Sequence, residues 1–458
     1  MSSIKQFRSR DASLWQSAVD EVVATENAGS SPAAGLGGGA TAPVKRPPQG
    51  TSEIVVNNEI AEAIDEGQPV ATVQPPSPAA GFGDTVRFCS TAAFKLAEAR
   101  VRAAFTHDET ELKRLEEELR TPFGNCDAKW AQVAAVYAAS KINAQTRTIP
   151  YVRHTNINDF VIENRLPETA TIAIVGDWGT GQDNARQLLA KIASKHPDVV
   201  FHLGDVYYSG TENEVKNYFY AIWQKVLGIP RVAWGAALTD MAAKPATFHL
   251  SGNHDMYAGG GPYYSVIKML GQPASYFCLR NKDWQFIGLD TGLHDANPLA
   301  QGNATFLEDT EVEWLTHKIE TAGGRKTVLL SHHQLFSAVD KIGGGTVNAR
   351  LLEQLKNVLS RVTAWLWGHE HSLVIYKQFQ GVLGRCVGHG AFPVPVDLDE
   401  AAAADVPIED VRLDKDRAGA LFLHGYTVVT LNGNAATAIY YQYNGETDEE
   451  IEKFKETW

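Results

Sequence analysis

From about residue 169 onward, short apolar runs repeatedly end in polar turns that contain glycine or histidine. They read "TIAIVGDWG", "DVVFHLGDVYY", "ATFHLSGNHD", "WQFIGLDTG", "KTVLLSHHQ" and "VTAWLWGHEH". Amphipathic segments such as "NARQLLAKIASK", "EVEWLTHKIETA" and "NARLLEQLKNVLS" separate several of them. Runs this continuously apolar suit strands covered on both faces, and their alternation with helices predicts an α/β architecture. Beyond them, "LVIYKQFQGVLGRCVG" and "YTVVTLNGNAATAIYYQYNG" read as antiparallel strands, the second pair turning at "NGNA".

The first third of the chain has a different rhythm. A short amphipathic helix is expected over 11–24, and residues 26–50 and 74–83 are Gly/Pro/Ala-rich linkers. Within 90–145, Phe94, Val101 and Phe105, then Leu112, Leu115 and Leu119, then Trp130, Val133 and Tyr137 recur at helical spacing. The expected organisation is therefore an N-terminal helix with flexible linkers over 1–84 and a helical extension over 85–150. A catalytic domain follows over 166–445, and an acidic tail over 446–458. The helical extension is read as packing on the main domain, with contact to a protein partner or a second copy as the alternative.

Composition narrows the field. Of 458 residues, 44% are hydrophobic and 21% charged, and the formal net charge is −13. That balance disfavours an enzyme gripping long nucleic acids through a basic surface. It leaves room for small phosphorylated substrates, because metal ions can supply positive charge locally. The four cysteines form no CxxC pair, which predicts neither a disulfide framework nor a cysteine zinc site. The first residues lack an apolar leader, and no run approaches the roughly 18 apolar residues of a membrane span. The expectation is a cytoplasmic protein.

The chemistry concentrates at the strand ends. In chain order these deliver Asp177, then Asp205 with Tyr208, Asn253 with His254, His332 with His333, and His369 with His371. Carboxylate and amide oxygens mixed with imidazoles suit iron, manganese or zinc. The two histidines of "GHEH" stand two residues apart, so on an extended segment both face one way. Any one fragment is weak, since an Asp after a strand is commonly a turn residue. Five of them, each at a strand end, predict a metal centre. Ligands in such sheets sit beyond the carboxyl ends of the strands.

Taken together, "GDWG" (176–179), "GDVYY" (204–208), "GNHD" (252–255), "VLLSHH" (328–333) and "GHEH" (368–371) resemble the calcineurin-like metallophosphoesterases. Within that superfamily they are most similar to the purple acid phosphatases of the small, tartrate-resistant type. The resemblance spans roughly 169–395 and implies a sandwich of two central mixed β-sheets flanked by helices. It also implies two metal ions, iron with iron, manganese or zinc. Asp177, Asp205, Tyr208 and His371 would hold the first ion, with Asp205 bridging to a second held by Asn253, His332 and His369. Asn253 and His254 would contact the substrate phosphate, and His254 would protonate the leaving group. His333 is a further catalytic candidate and His389 a further substrate-binding one. The family pattern VxxH, opened at Val328, lands on Ser331, whereas opening at Leu329 yields His332. Gln334 replaces the usual proline after this pair.

The expected activity is hydrolysis of phosphate monoesters by a metal-bound hydroxide, as in an acid phosphatase. Two metals sharing one Asp would activate water and stabilise the five-coordinate phosphorus. Two alternatives stay open: a phosphodiesterase or nucleotide hydrolase on the same centre, and a non-catalytic binding protein on the same fold. Of the two tyrosines, Tyr208 falls at the ligand position of GDxxY, and Tyr207 is expected to pack or to shape the pocket.

Overall fold

The computed structural model describes residues 148–296, 304–394, 405–409, 411–419 and 421–458, with Val136 and Ser140 as isolated helical positions. Contacts divide the chain into Met1–Ala131 and Gln132–Trp458, and every described residue lies in the second unit. The expected elements over 1–84, and those over 85–150 apart from Val136, Ser140 and 148–150, lie outside the described residues.

Among the described residues, thirteen strands form two sheets. The first, of seven strands, contains β1 (Val161–Ile162), β5 (Phe277–Arg280), β6 (Trp284–Gly288), β7 (Lys326–Ser331), β8 (Val362–Trp367), β10 (Gly384–Val387) and β9 (Leu373–Ile375), in that spatial order. The second runs β13 (Glu449–Thr457), β12 (Ala435–Asn444), β11 (His424–Asn432), β2 (Thr169–Val175), β3 (Val199–His202) and β4 (Ala246–His249). Both are mixed: β2–β3–β4 and β6–β7–β8 pair in parallel, whereas β11–β12–β13 pair antiparallel.

The apolar runs are explained by coverage on both faces. Alternate side chains of each strand meet in one core between the sheets: Ile172 and Ile174 of β2, Phe201 of β3, Val328 and Leu330 of β7. Stacked rings lock the contact, with Phe201 5.4 Å from Phe248, and Phe248 4.8 Å from Phe277 across the interface. The intervening residues face helices. Ala173, Val175 and Val200 pack on Leu188, Leu189 and Ile192 of the helix Asp183–Ala193. On the other side Ile287, Leu329 and Trp365 pack with Trp314 and Leu315 of the helix Asp309–Glu320. The result is the expected two-sheet sandwich flanked by helices. Among the described residues, no helix is long and apolar enough to cross a membrane.

The expected acidic tail is corrected. Residues 449–457 form β13, the outermost strand of the second sheet, paired with β12 over most of its length. Its charge pattern concealed a buried anchor. Glu456 accepts hydrogen bonds from Arg385 Nη2 at 2.6 Å and from the Tyr440 hydroxyl at 2.7 Å. The Arg385 side chain is only 4% exposed and that of Glu456 13%, so a two-pronged ion pair joins β10 of one sheet to β13 of the other. Removing one member of such a pair strands the other charge. Arg385→Met is therefore expected to cost about 3 kcal/mol of unfolding free energy, and the double variant with Glu456→Gln less, both read from urea denaturation.

Candidate metal centre

All five motifs emerge at the carboxyl ends of strands. Asp177 follows β2, Asp205 follows β3 and Asn253 follows β4, all in the second sheet. His332 follows β7 and His369 follows β8, in the first. The cluster therefore straddles the sandwich. Four of these residues depart from ordinary backbone: Asp177, Asp205, His369 and His371 have φ of 54°, 71°, 69° and 45°. Side-chain-bearing residues rarely adopt this left-handed region, and clusters of such residues mark functional sites. The motif glycines serve close approach. A Cβ on Gly252 would lie 2.0 Å from Asp205 Oδ1, and one on Gly368 2.5 Å from Asp177 Oδ2.

Two donor groups overlap. Ligand atoms of Asp177, Asp205 and His332 lie within 4.8 Å of one another, as do those of His332, His333 and His369. Within this cluster, His332 Nε2 is 3.1 Å from Asn253 Oδ1, 3.2 Å from His369 Nδ1 and 3.4 Å from Asp205 Oδ2. Supporting contacts set each orientation. His332 Nδ1–H donates to the Leu203 carbonyl at 2.9 Å, which turns Nε2 inward. The Asn253 amide nitrogen donates to Tyr257 Oη at 2.6 Å, which turns its oxygen inward. Asp177 Oδ2 accepts the His369 backbone N–H at 2.8 Å.

The electrostatics favour cations. Burial resists a charge on Asp205, yet the imidazoles of His332 and His254 hold its carboxyl well below the usual range. Burial likewise works against charge on His332, but the Asp205 carboxylate carries its pKa up to about 9. Burial, aided by neighbouring His332, lowers His369 to about 3, so its lone pair is available at neutral pH. Asp205 Oδ2 is buried without a hydrogen-bond partner. A buried anionic oxygen so placed, among borderline nitrogen and hard oxygen donors, fits metal ions of the Fe, Mn or Zn kind.

The hydroxyl of Tyr207, expected to pack or to shape the pocket, lies inside the donor cluster. Tyr207 is fully buried; its hydroxyl donates to Asp177 Oδ1 at 2.8 Å, and its oxygen lies 2.8 Å from His371 Nε2. Tyr208 is half-buried; its ring meets those of Tyr207 and Phe392, and its carbonyl accepts His254 Nδ1–H at 2.7 Å. The Glu214 carboxylate accepts the backbone N–H groups of Tyr208, Ser209 and Thr211 and ties this loop together.

The remaining candidates divide. His254 directs Nε2 toward Asp205 Oδ2, 3.9 Å away, with its ring against Tyr207 and Tyr257. His333 has Nδ1 3.0 Å from Thr291 Oγ1 and Nε2 3.0 Å from Asp295 Oδ2, and its ring centroid lies 4.5 Å from that of His369. His389 does not join them. It is 2% exposed and its Nε2 lies 3.1 Å from the Tyr441 carbonyl on β12, so the substrate-binding role expected of it is withdrawn. Its glycine-rich surroundings suggested a loop at the site, but those glycines let the chain pass close to Gly176 and Asp177.

Two supporting residues went unassigned in the sequence. Asp255 accepts the backbone N–H groups of Asp205 and Gly252, each at 2.9 Å, tying two motif loops together. It stands inside "GNHD", so the signal was in view. Asp295 carries no motif that would mark it. Burial pushes the Asp295 carboxyl up to about 8.

Comparison with known proteins agrees with this geometry. Residues 170–373 match the family model of calcineurin-like phosphoesterase. Tartrate-resistant acid phosphatase type 5 of Mus musculus is 23% identical over 309 residues, 61% of this chain and 88% of the relative. Among solved structures, GAP50, the anchor in the inner membrane complex of Plasmodium, aligns at 14% identity with a TM-score of 0.41, covering 63% of this chain and 88% of that one. A dimetal phosphatase from Danio rerio aligns at 12% identity and 0.39, covering 62% and 98%. Over residues 170–373 the chain is therefore similar to the calcineurin-like phosphoesterases.

Proposed function

We propose that the protein is a binuclear metal-dependent phosphoesterase that hydrolyses phosphate monoesters. The observation that carries this reading is the overlap of two donor groups at His332, one with Asp177 and Asp205 and one with His333 and His369. Tyr207 and His371 adjoin Asp177, and Asn253 adjoins His332. When bound there, a metal pair supplies Lewis acidity to phosphate oxygens and lowers the pKa of coordinated water. The chain's own groups do the rest. His254, its Nδ1–H held by the Tyr208 carbonyl, keeps Nε2 facing the site, where it holds a proton for the leaving oxygen. His333, fixed between Thr291 and Asp295, acts through His369 by holding that ring in place. Similarity to a tartrate-resistant acid phosphatase supports monoesters as the substrate class, and the donor chemistry supports iron, manganese or zinc.

The test is turnover of metal-analysed protein on p-nitrophenyl phosphate, bis-p-nitrophenyl phosphate and nucleotides. Monoester hydrolysis with two metal equivalents is the expected result. Turnover of diesters or nucleotide anhydrides alone would transfer the centre to those substrates. No turnover on any of them, with two metals bound, would leave a binding protein.

A further inference from the structure

Two histidines interrupt the apolar runs that lead to the donor cluster. His202 closes β3 and His249 closes β4, and the parallel pairing of these strands sets the two residues side by side. Both are fully buried. The rings of Trp178, Phe219 and Trp223 lie within 6.2 Å of His202, and His249 stacks on Phe219 at 4.6 Å. A polar ring in such an aromatic cage is costly unless it is partnered.

The partners form a line. His202 Nδ1 lies 2.8 Å from His249 Nδ1, and His249 Nε2 lies 3.3 Å from Asp255 Oδ1. Among the described residues neither of the last two atoms has a hydrogen-bond partner elsewhere, so the ring's N–H dipole faces the carboxylate. Asp255 Oδ2 in turn accepts the backbone N–H groups of Asp205 and Gly252.

The protons along the line follow by elimination. A carboxylate only accepts, so His249 carries its proton on Nε2, and its bare Nδ1 accepts from His202 Nδ1–H. Burial, with His249 beside it, pushes the His202 imidazole well below its ordinary pKa, so that ring holds a single proton. Had His249 a second proton on Nδ1, His202 would hold its own on Nε2, a buried donor without an acceptor. Both N–H dipoles therefore point toward Asp255. At the far end the His254 N–H donates to Asp205 Oδ1 at 3.1 Å, which leaves Oδ2 for a cation.

We propose that His202 and His249 are positioning residues of the metal centre: they orient Asp255, which pins the Asp205 and Gly252 backbone and so presents Asp205 Oδ2. This rests on Asp205 being a metal ligand, as in the function proposed above.

The test compares metal affinity with stability. The His249 backbone is held by Gln272 at its N–H and by Gln272 and Tyr263 at its carbonyl, so β4 keeps its place when the side chain changes. His202→Leu/His249→Leu replaces the pair by apolar groups of similar volume, which should leave the urea midpoint of the metal-free protein unchanged or higher. Mn(II) titrated into the same full-length, metal-free protein should bind at least about tenfold more weakly than in the wild type. His249→Gln, whose amide accepts from His202 and donates toward Asp255, should stay within about threefold of the wild type. Unchanged Mn(II) affinity in the leucine pair overturns the proposal. So does an affinity lost together with the metal-free midpoint, the mark of a merely structural pair. Nitrogen NMR of the histidine-labelled, metal-free wild type needs no variant: protons on His202 Nδ1 and His249 Nε2 support the line, and a proton on His249 Nδ1 defeats it. A wild type that binds no Mn(II) would defeat the metal reading itself, and the ring tautomers still decide the line separately.

Discussion

Oxidised, iron-loaded Tyr207→Phe protein is expected to lose the visible tyrosinate-to-iron charge-transfer band, while Tyr208→Phe keeps it. The argument rests on where the two oxygens lie. The Tyr207 hydroxyl is 2.8 Å from Asp177 Oδ1 and 2.8 Å from His371 Nε2, two groups expected to hold the same ion. Burial first, then the charges of Asp177 and Asp205, push its phenol well above the ordinary tyrosine range. Left alone it stays protonated and donates to Asp177, so only a strong Lewis acid strips that proton. A hard anionic oxygen of this kind suits Fe(III). The contribution of Tyr208 to the site that does not involve its hydroxyl is a backbone carbonyl holding His254, and phenylalanine retains it. Visible spectra of the two variants at matched iron content decide the matter. A band that survives in Tyr207→Phe and vanishes in Tyr208→Phe would restore the spacing rule.

Asp205→Asn should be the most damaging single change to turnover. Its carboxylate belongs to the donor group of Asp177, Asp205 and His332, and its buried Oδ2 has no hydrogen-bond partner. Charge stabilisation by a metal pair amounts to several kcal/mol, so losing the bridge should lower kcat/KM by about a thousandfold or more. Metal analysis should show at most one tight equivalent. The fold should persist, because Asp255 holds the loop through the Asp205 backbone N–H, which asparagine keeps. Two bound equivalents with turnover within about tenfold of wild type would remove Asp205 from the bridging position.

How far the sequence reached can be traced residue by residue. The strands bearing ligands were legible because each is a short apolar run closed by a turn and a donor, as in β3 with Gly204 and Asp205. The antiparallel pair β11–β12 was legible from its turn. The sandwich itself came through the family resemblance, since the union of β11, β12 and β13 with β2 is a long-range pairing with no local signature. β13 was misread because Glu449, Glu450 and Glu452 advertise solvent while Glu456 turns inward to Arg385. The inward position of the Tyr207 hydroxyl was not legible, because motif spacing alone does not say how the loop after Asp205 folds. His389 was overvalued because close chain packing and a ligand loop call for the same glycines.

The left-handed backbone at Asp177, Asp205, His369 and His371 has an evolutionary consequence. A glycine at any of these positions would relieve local strain on the order of 1 kcal/mol, while deleting a donor. Selection for a sturdier chain and selection for the centre therefore pull in opposite directions at the same four sites. A glycine variant at any of the four is therefore expected to gain stability while removing a side chain from the cluster.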